Sequence, residues 1–148
     1  MIVFQTSIGI KRPAEEVFAY VGDLRNLPAW NSAVQAVRPT SPATSGVGST
    51  FSMKRELPSG PARNELAVIT STPPREFTIR TTAGPTPFLY RYLFAAQNGE
   101  TVVQLDAQVE LDGVATRLPQ LARRAVKKGV DDNLATLKMI LEKRRRTR

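Results

Sequence analysis

The chain contains no cysteine and no histidine, and a single tryptophan. Without cysteine there is no disulfide, no thiolate nucleophile and no thiolate metal site. Without histidine the commonest general base and the commonest metal ligand are both missing. Any acid–base chemistry would fall to carboxylates, tyrosine, lysine, arginine, hydroxyls or ordered water. No apolar run approaches the roughly 20 residues that a membrane-spanning helix needs. The opening stretch MIVFQTSIGIKRP has no basic region ahead of its apolar residues and alternates too regularly for a signal peptide. These absences lead us to expect a cytoplasmic protein with no metal and no cofactor.

What remains is ordinary material for one core. The chain has 148 residues, 41% hydrophobic and 23% charged, which suits one domain. Its formal net charge is +8. Part of that excess lies in the terminal KRRRTR, and part in Arg123, Arg124, Lys127 and Lys128. A basic tail can touch nucleic acid or anionic lipid. The preferred reading is a solvated helix end whose cations suit the C-terminal dipole. The expected organisation is one domain over 1–142 and a basic tail over 143–148.

Hydrophobic periodicity lays out the elements. Over 2–10, Ile2, Phe4, Ile8 and Ile10 share one face of a strand with Thr6 between them. KRPAEEVFAYV reads as a short helix, with Pro13 at its first position and Glu15 and Glu16 at the positive end of its dipole. Asp23 suits the N-cap of a second helix through about Leu27, kept to a turn or so by Pro28. Trp30 then lies at the end of this short helix pair. Strands are expected at 33–38, 49–57, 64–72, 76–82, 87–96 and 101–111, separated by turn-rich SPATSGVG, PSGPA, PP, AGPT and QNGE. Asn98-Gly99 is the strongest hairpin signal. In the last strand Val103, Leu105, Ala107, Val109 and Leu111 alternate with Gln104, Asp106, Gln108 and Glu110, as in a sheet with one covered face. A long helix over 117–143 closes the chain. Thr116 is its expected cap, and its expected apolar stripe runs through Leu118, Leu121, Ala122, Ala125, Val126, Val130, Leu134, Leu137 and Leu141.

Six short motifs stand in order along this layout: IKRPAEEVFAYVGD, NLPAWN, GVGSTF, TPPREF, NGETVV and DNLATLKMILE. Together they resemble the helix-grip fold of the START/Bet v 1-like (SRPBCC) superfamily, in particular its polyketide cyclase/dehydrase-like group. The resemblance covers nearly the whole chain. It implies an α+β fold in which a curved, seven-stranded antiparallel sheet wraps a long C-terminal helix, with two short helices after the first strand. It also implies a grip on an apolar small molecule between sheet and helix: a lipid, an isoprenoid or an aromatic polyketide. The motifs themselves are turns, caps and packing positions, and carry no chemistry.

The strand faces that should look at the helix carry Phe51, Met53, Phe77, Ile79, Phe88, Tyr90, Tyr92, Phe94, Val103 and Leu105. On the helix, Val126 and Val130 belong to the same wall. A concave apolar wall with a few phenols suits a small-molecule pocket. It equally describes a filled core with tyrosines hydrogen-bonded at the rim. Arg55 shares the parity of Phe51 and Met53, so it either orients a ligand oxygen or snorkels to solvent from the strand end. Trp30 either stacks on a flat ligand or plugs the junction of sheet and helices. Gly129, mid-helix, either makes room or is a tolerated surface glycine. Asp106 should face outward, and Glu65 is ambiguous. Asp131 and Asp132 are adjacent on a helix and point apart. No residue is assigned as catalytic, and no metal, phosphate or nucleophile–base motif is present.

Two functions follow. One is a binding module for an apolar small molecule. The other is an aromatase/cyclase-like enzyme that holds a poly-β-ketone in a bent shape, with Arg55 stabilising an enolate and Tyr90 or Tyr92 shuttling protons. Contact with nucleic acid or an anionic membrane through the tail is the weakest reading. A homodimer is compatible with either function.

Overall fold

The expected strands all form, most of them within two residues of their anticipated ends. A computed structural model describes residues 1–57, 59–111 and 117–144. Strand β1 spans Ile2–Ile10 and helix α1 Ala14–Val21. A single 3-10 turn, Leu24–Asn26, leads into α2, Leu27–Trp30. Strands β2 (Val34–Pro39), β3 (Thr50–Leu57), β4 (Gly60–Thr72), β5 (Glu76–Ala83), β6 (Phe88–Gln97) and β7 (Glu100–Val109) follow, and α3, Pro119–Lys143, closes the chain. The strands make one antiparallel sheet in the order β1-β7-β6-β5-β4-β3-β2. The two short helices therefore carry the chain from one edge of the sheet to the other.

Local chemistry sets most of the joints. Pro13 sits one place earlier than expected, as the extended residue before α1, with φ −61° and ψ 150°. Asp23 caps the 3-10 turn by accepting the Arg25 amide. Asn98 and Gly99 have φ of 51° and 80°, the two positive values a type I′ hairpin requires. Strand β4 begins at Gly60 rather than at 64, because the ladder with β3 runs down to the Leu57–Gly60 pair. The expected Thr116 cap and the tail beyond residue 144 lie outside the described residues.

The stripe expected on α3 is half right. Val130, Leu134, Leu137 and Leu141 are buried, but Leu118 and Leu121 are 58% and 63% exposed, and Ala125 is exposed too. At about 100° per residue, sixteen residues turn Leu134 roughly 160° away from Leu118, and Leu137 as far from Leu121. Links of three and four residues kept each step on a face while the sum drifted round the helix.

The C-terminal half of α3 is tied to the sheet. Arg12 donates from Nη2 to the carbonyls of Glu142 and Arg144, at 2.8 and 2.6 Å. The Lys11 amide donates to the Glu142 carboxylate at 2.8 Å. Near the middle, the Thr6 hydroxyl donates to Asp131.

Candidate functional site

Aromatic packing divides the concave face of the sheet into two ends. At the α1 end, Phe18 meets Phe94 edge-on at 5.2 Å and Phe77 at 6.2 Å. Tyr92 lies at the divide, 6.5 Å from Phe77 and 6.3 Å from Trp30. Beyond it, towards the end of β3, is a cavity of about 330 Å³. That lies at the small end of the roughly 300–1,000 Å³ of small-molecule sites.

Of the residues anticipated on the wall, Met53, Arg55, Ile79, Phe88, Tyr90, Tyr92, Val126 and Val130 line this cavity. Phe51, Phe77 and Val103 do not; they are buried in the core away from it. Trp30 and Leu105 also stand off it, bordering with Tyr90 and Tyr92 only a gap of about 10 Å³. Strand parity fixes which face a side chain takes, and it is blind to position along the strand. Trp30 is 4% exposed and packs as a plug, edge-on to Tyr92. Gly129 lines the cavity, and a Cβ added there would meet no atom within 4 Å. Glu65 is half-buried on the outer face, since Asn64, Leu66 and Val68 take the inner one. Asp106 also faces outward, held by Gln104 at 2.9 Å.

Among the described residues, Arg55 is the one cation on the wall. It is 9% exposed. Its Nε donates to Asn64 Oδ1 at 2.9 Å, and its Nη2 to the carbonyls of Pro85 and Thr86 at 3.0 and 2.9 Å. Its guanidinium carbon lies 5.4 Å from the Phe88 ring centroid. No carboxylate pairs with it among the described residues. Burial pulls its pKa below the ordinary arginine value, partly opposed by Tyr90. The group nonetheless stays cationic at neutral pH.

The accepting loop is shaped by Gly84, which has φ +104°. A Cβ there would stand 2.6 Å from Asn64 Nδ2 and 2.9 Å from Asn64 Cα, and would run into the Arg63 carbonyl. Only glycine lets the β5–β6 turn close on Asn64, which donates in turn to Ala83 and Pro85.

Neither cavity tyrosine has a hydroxyl partner among the described residues. Burial pushes the Tyr90 hydroxyl up to about 12, with Arg55 holding it back in part. Burial and the neighbouring Tyr90 raise Tyr92 further still. Both phenols are protonated at neutral pH, so they can donate hydrogen bonds and are poor bases.

Sequence reasoning missed several lining residues. Leu27, Val34 and Leu57 add apolar wall, and Asn31 and Asn133 stand at the mouth. The Ser32 amide donates to Asn133 Oδ1 at 3.1 Å, which ties α3 to the segment after α2. Asn64 carried a usable signal: it shares the parity of Leu66 and Val68, so a polar residue on that face needed a partner. Among the described residues no cluster of three metal-ligating side chains occurs, and no helix is long and apolar enough to cross a membrane.

The family described as polyketide cyclase/dehydrase and lipid transport matches residues 1–142. The fold is shared with solved structures of low sequence identity. TTHA0849 from Thermus thermophilus is 16% identical, covers 93% of this chain and 94% of its own, and superposes with a TM-score of 0.79. A START superfamily protein from Mycobacterium smegmatis is 14% identical, with 95% and 97% covered and a TM-score of 0.76. The di-domain ARO/CYC StfQ of the steffimycin biosynthetic pathway is 12% identical, with a TM-score of 0.74 over 93% of this chain and 50% of that one. No curated protein matches the sequence.

Proposed function

The chain belongs to the polyketide cyclase/dehydrase and lipid transport family, and from that premise we propose that it binds one hydrophobic small molecule between its sheet and α3. The cavity of about 330 Å³ carries this reading. Its volume favours a compact aromatic polyketide-like ring system or a single short isoprenoid or acyl chain over a bulkier lipid. Two phenols without hydroxyl partners among the described residues, together with Arg55, supply polar contacts within a largely apolar wall. A domain boundary near residue 142, where the family match ends, and a cytoplasmic setting belong to the same reading.

The test is native mass spectrometry of the gently purified chain, followed by solvent extraction. A stoichiometric apolar adduct is expected. A clean apo mass, together with no uptake of an environment-sensitive apolar dye, would overturn the proposal.

A second reading is a cyclase-like enzyme. It is favoured by Arg55 and Tyr90 lining the same cavity, and by the fold shared with an ARO/CYC di-domain. In that reading Arg55 stabilises an enolate oxygen and the tyrosines donate hydrogen bonds rather than abstract protons. Arg55→Ala should then abolish product formation from a poly-β-ketone substrate; unchanged turnover would remove the mechanism.

A further inference from the structure

Among the described residues, every contact of the Arg55 cation is neutral. Two carbonyls and an amide oxygen use three of its five N–H donors. The two on Nη1 have no partner among the described residues. Neutral acceptors satisfy hydrogen bonds, but they leave the charge uncompensated. A desolvated cation is costly unless an anion meets it. The Phe88 ring at 5.4 Å offsets only part of that cost. Glu56 borders the cavity at its rim, but it follows Arg55 in sequence and takes the other side of β3, where Gln35 donates to its carboxylate at 3.2 Å. The surroundings deeper in are apolar: Met53, Ile79, Phe88 and Val126 line the same cavity.

We infer that the ligand is an amphipathic acid, an apolar body bearing one carboxylate that pairs with the Arg55 guanidinium. The inference rests on the cavity reading above and names its ligand class. A guanidinium fork matches a carboxylate in plane and supplies charge-assisted hydrogen bonds. The Tyr90 hydroxyl, protonated and on the same wall, is available as a further donor. Asn64 and the Pro85 and Thr86 carbonyls act as positioning groups, because they fix the guanidinium before the acid arrives.

The experiment compares matched probes on the full chain by calorimetry: 2-naphthoate against 2-naphthylmethanol, and decanoate against decanol. Each acid is expected to bind about tenfold or more tightly than its alcohol. The better pair distinguishes an aromatic acid from an aliphatic one. Arg55→Met should bring the acid down to the level of the alcohol, while Arg55→Lys keeps part of the preference. Equal binding of acid and alcohol by the unmodified chain would overturn the inference and leave the cavity standing. An acid preference that survives in Arg55→Met would overturn it too. If neither probe class nor an apolar dye binds, the cavity reading itself fails. The unmodified-chain comparison needs no variant, so it decides the matter even if Arg55→Met does not fold.

Discussion

Arg55 and Asn64 are bound to each other across β3 and β4. The Arg55 Nε donates to Asn64 Oδ1 at 2.9 Å, and the Asn64 amide donates onward to the Pro85 carbonyl that Arg55 also contacts. Asn64 is fully buried. Replacing it by Leu strands a buried N–H of a cation, so Asn64→Leu should cost about 1–3 kcal/mol, read as a lower midpoint in thermal unfolding. Asn64→Asp tests the same pair differently. A carboxylate at that position would neutralise Arg55 from within, and affinity for an acidic probe should fall while that for a neutral one holds.

Gly84→Ala should lower stability by about 1–3 kcal/mol. The added methyl must clear the Arg63 carbonyl and the Asn64 backbone, and the residue must hold a φ that side chains disfavour. The β5–β6 turn would lift, taking the two carbonyls from Arg55. Denaturant unfolding reads the stability loss.

Gly129 separates a helix effect from a cavity effect. Gly129→Ala should stabilise the chain by up to about 1 kcal/mol, since alanine suits a helix better and the site has room. Gly129→Leu places a branched side chain in the cavity. It should weaken or abolish dye binding without a matching loss of thermal stability.

Asp131 gives the fold an acid-sensitive contact. Partial burial raises its pKa, but the Thr6 hydroxyl and the Lys127 ammonium outweigh this, and the net shift is below the ordinary 3.8. A carboxyl depressed in the folded state stabilises fully above 3.8 and loses that contribution as pH falls through its lower folded value. Thr6→Val should therefore flatten the decline of the melting midpoint between about pH 5 and pH 2. An unchanged decline would show that this contact does not set acid stability.

Most of the fold was legible because its signals are local. Val103, Leu105, Ala107 and Val109 alternate strictly, Asn98-Gly99 fixes one hairpin, and Pro13 and Asp23 punctuate the short helices. The candidate site was legible only in part. Parity put Phe51, Phe77 and Arg55 on one face, yet of these three only Arg55 reaches the cavity, because parity fixes a face and not a position along the strand. Phe18 of α1 packs on Phe77 and Phe94, and nothing in the β-strand sequence announces it. Leu118 and Leu121 misled for a related reason: neighbouring steps of three and four residues look continuous while their phase drifts. Asn64 was overlooked as a partner because β3–β4 register is set by a turn whose pairing reaches down to Gly60.

The ionisation of the cavity wall has an experimental consequence. Among the described residues the wall contains no side chain of a kind that titrates near neutrality: Arg55 stays positive, and Tyr90 holds its proton to about 12. Its electrostatic background is therefore constant across the middle of the pH scale. Any inflection in affinity between about pH 6 and pH 9 then belongs to the guest and not to the host. The cavity becomes an indicator electrode of fixed charge, and a binding curve taken against pH reads out the acidity of an unidentified molecule before its structure is known.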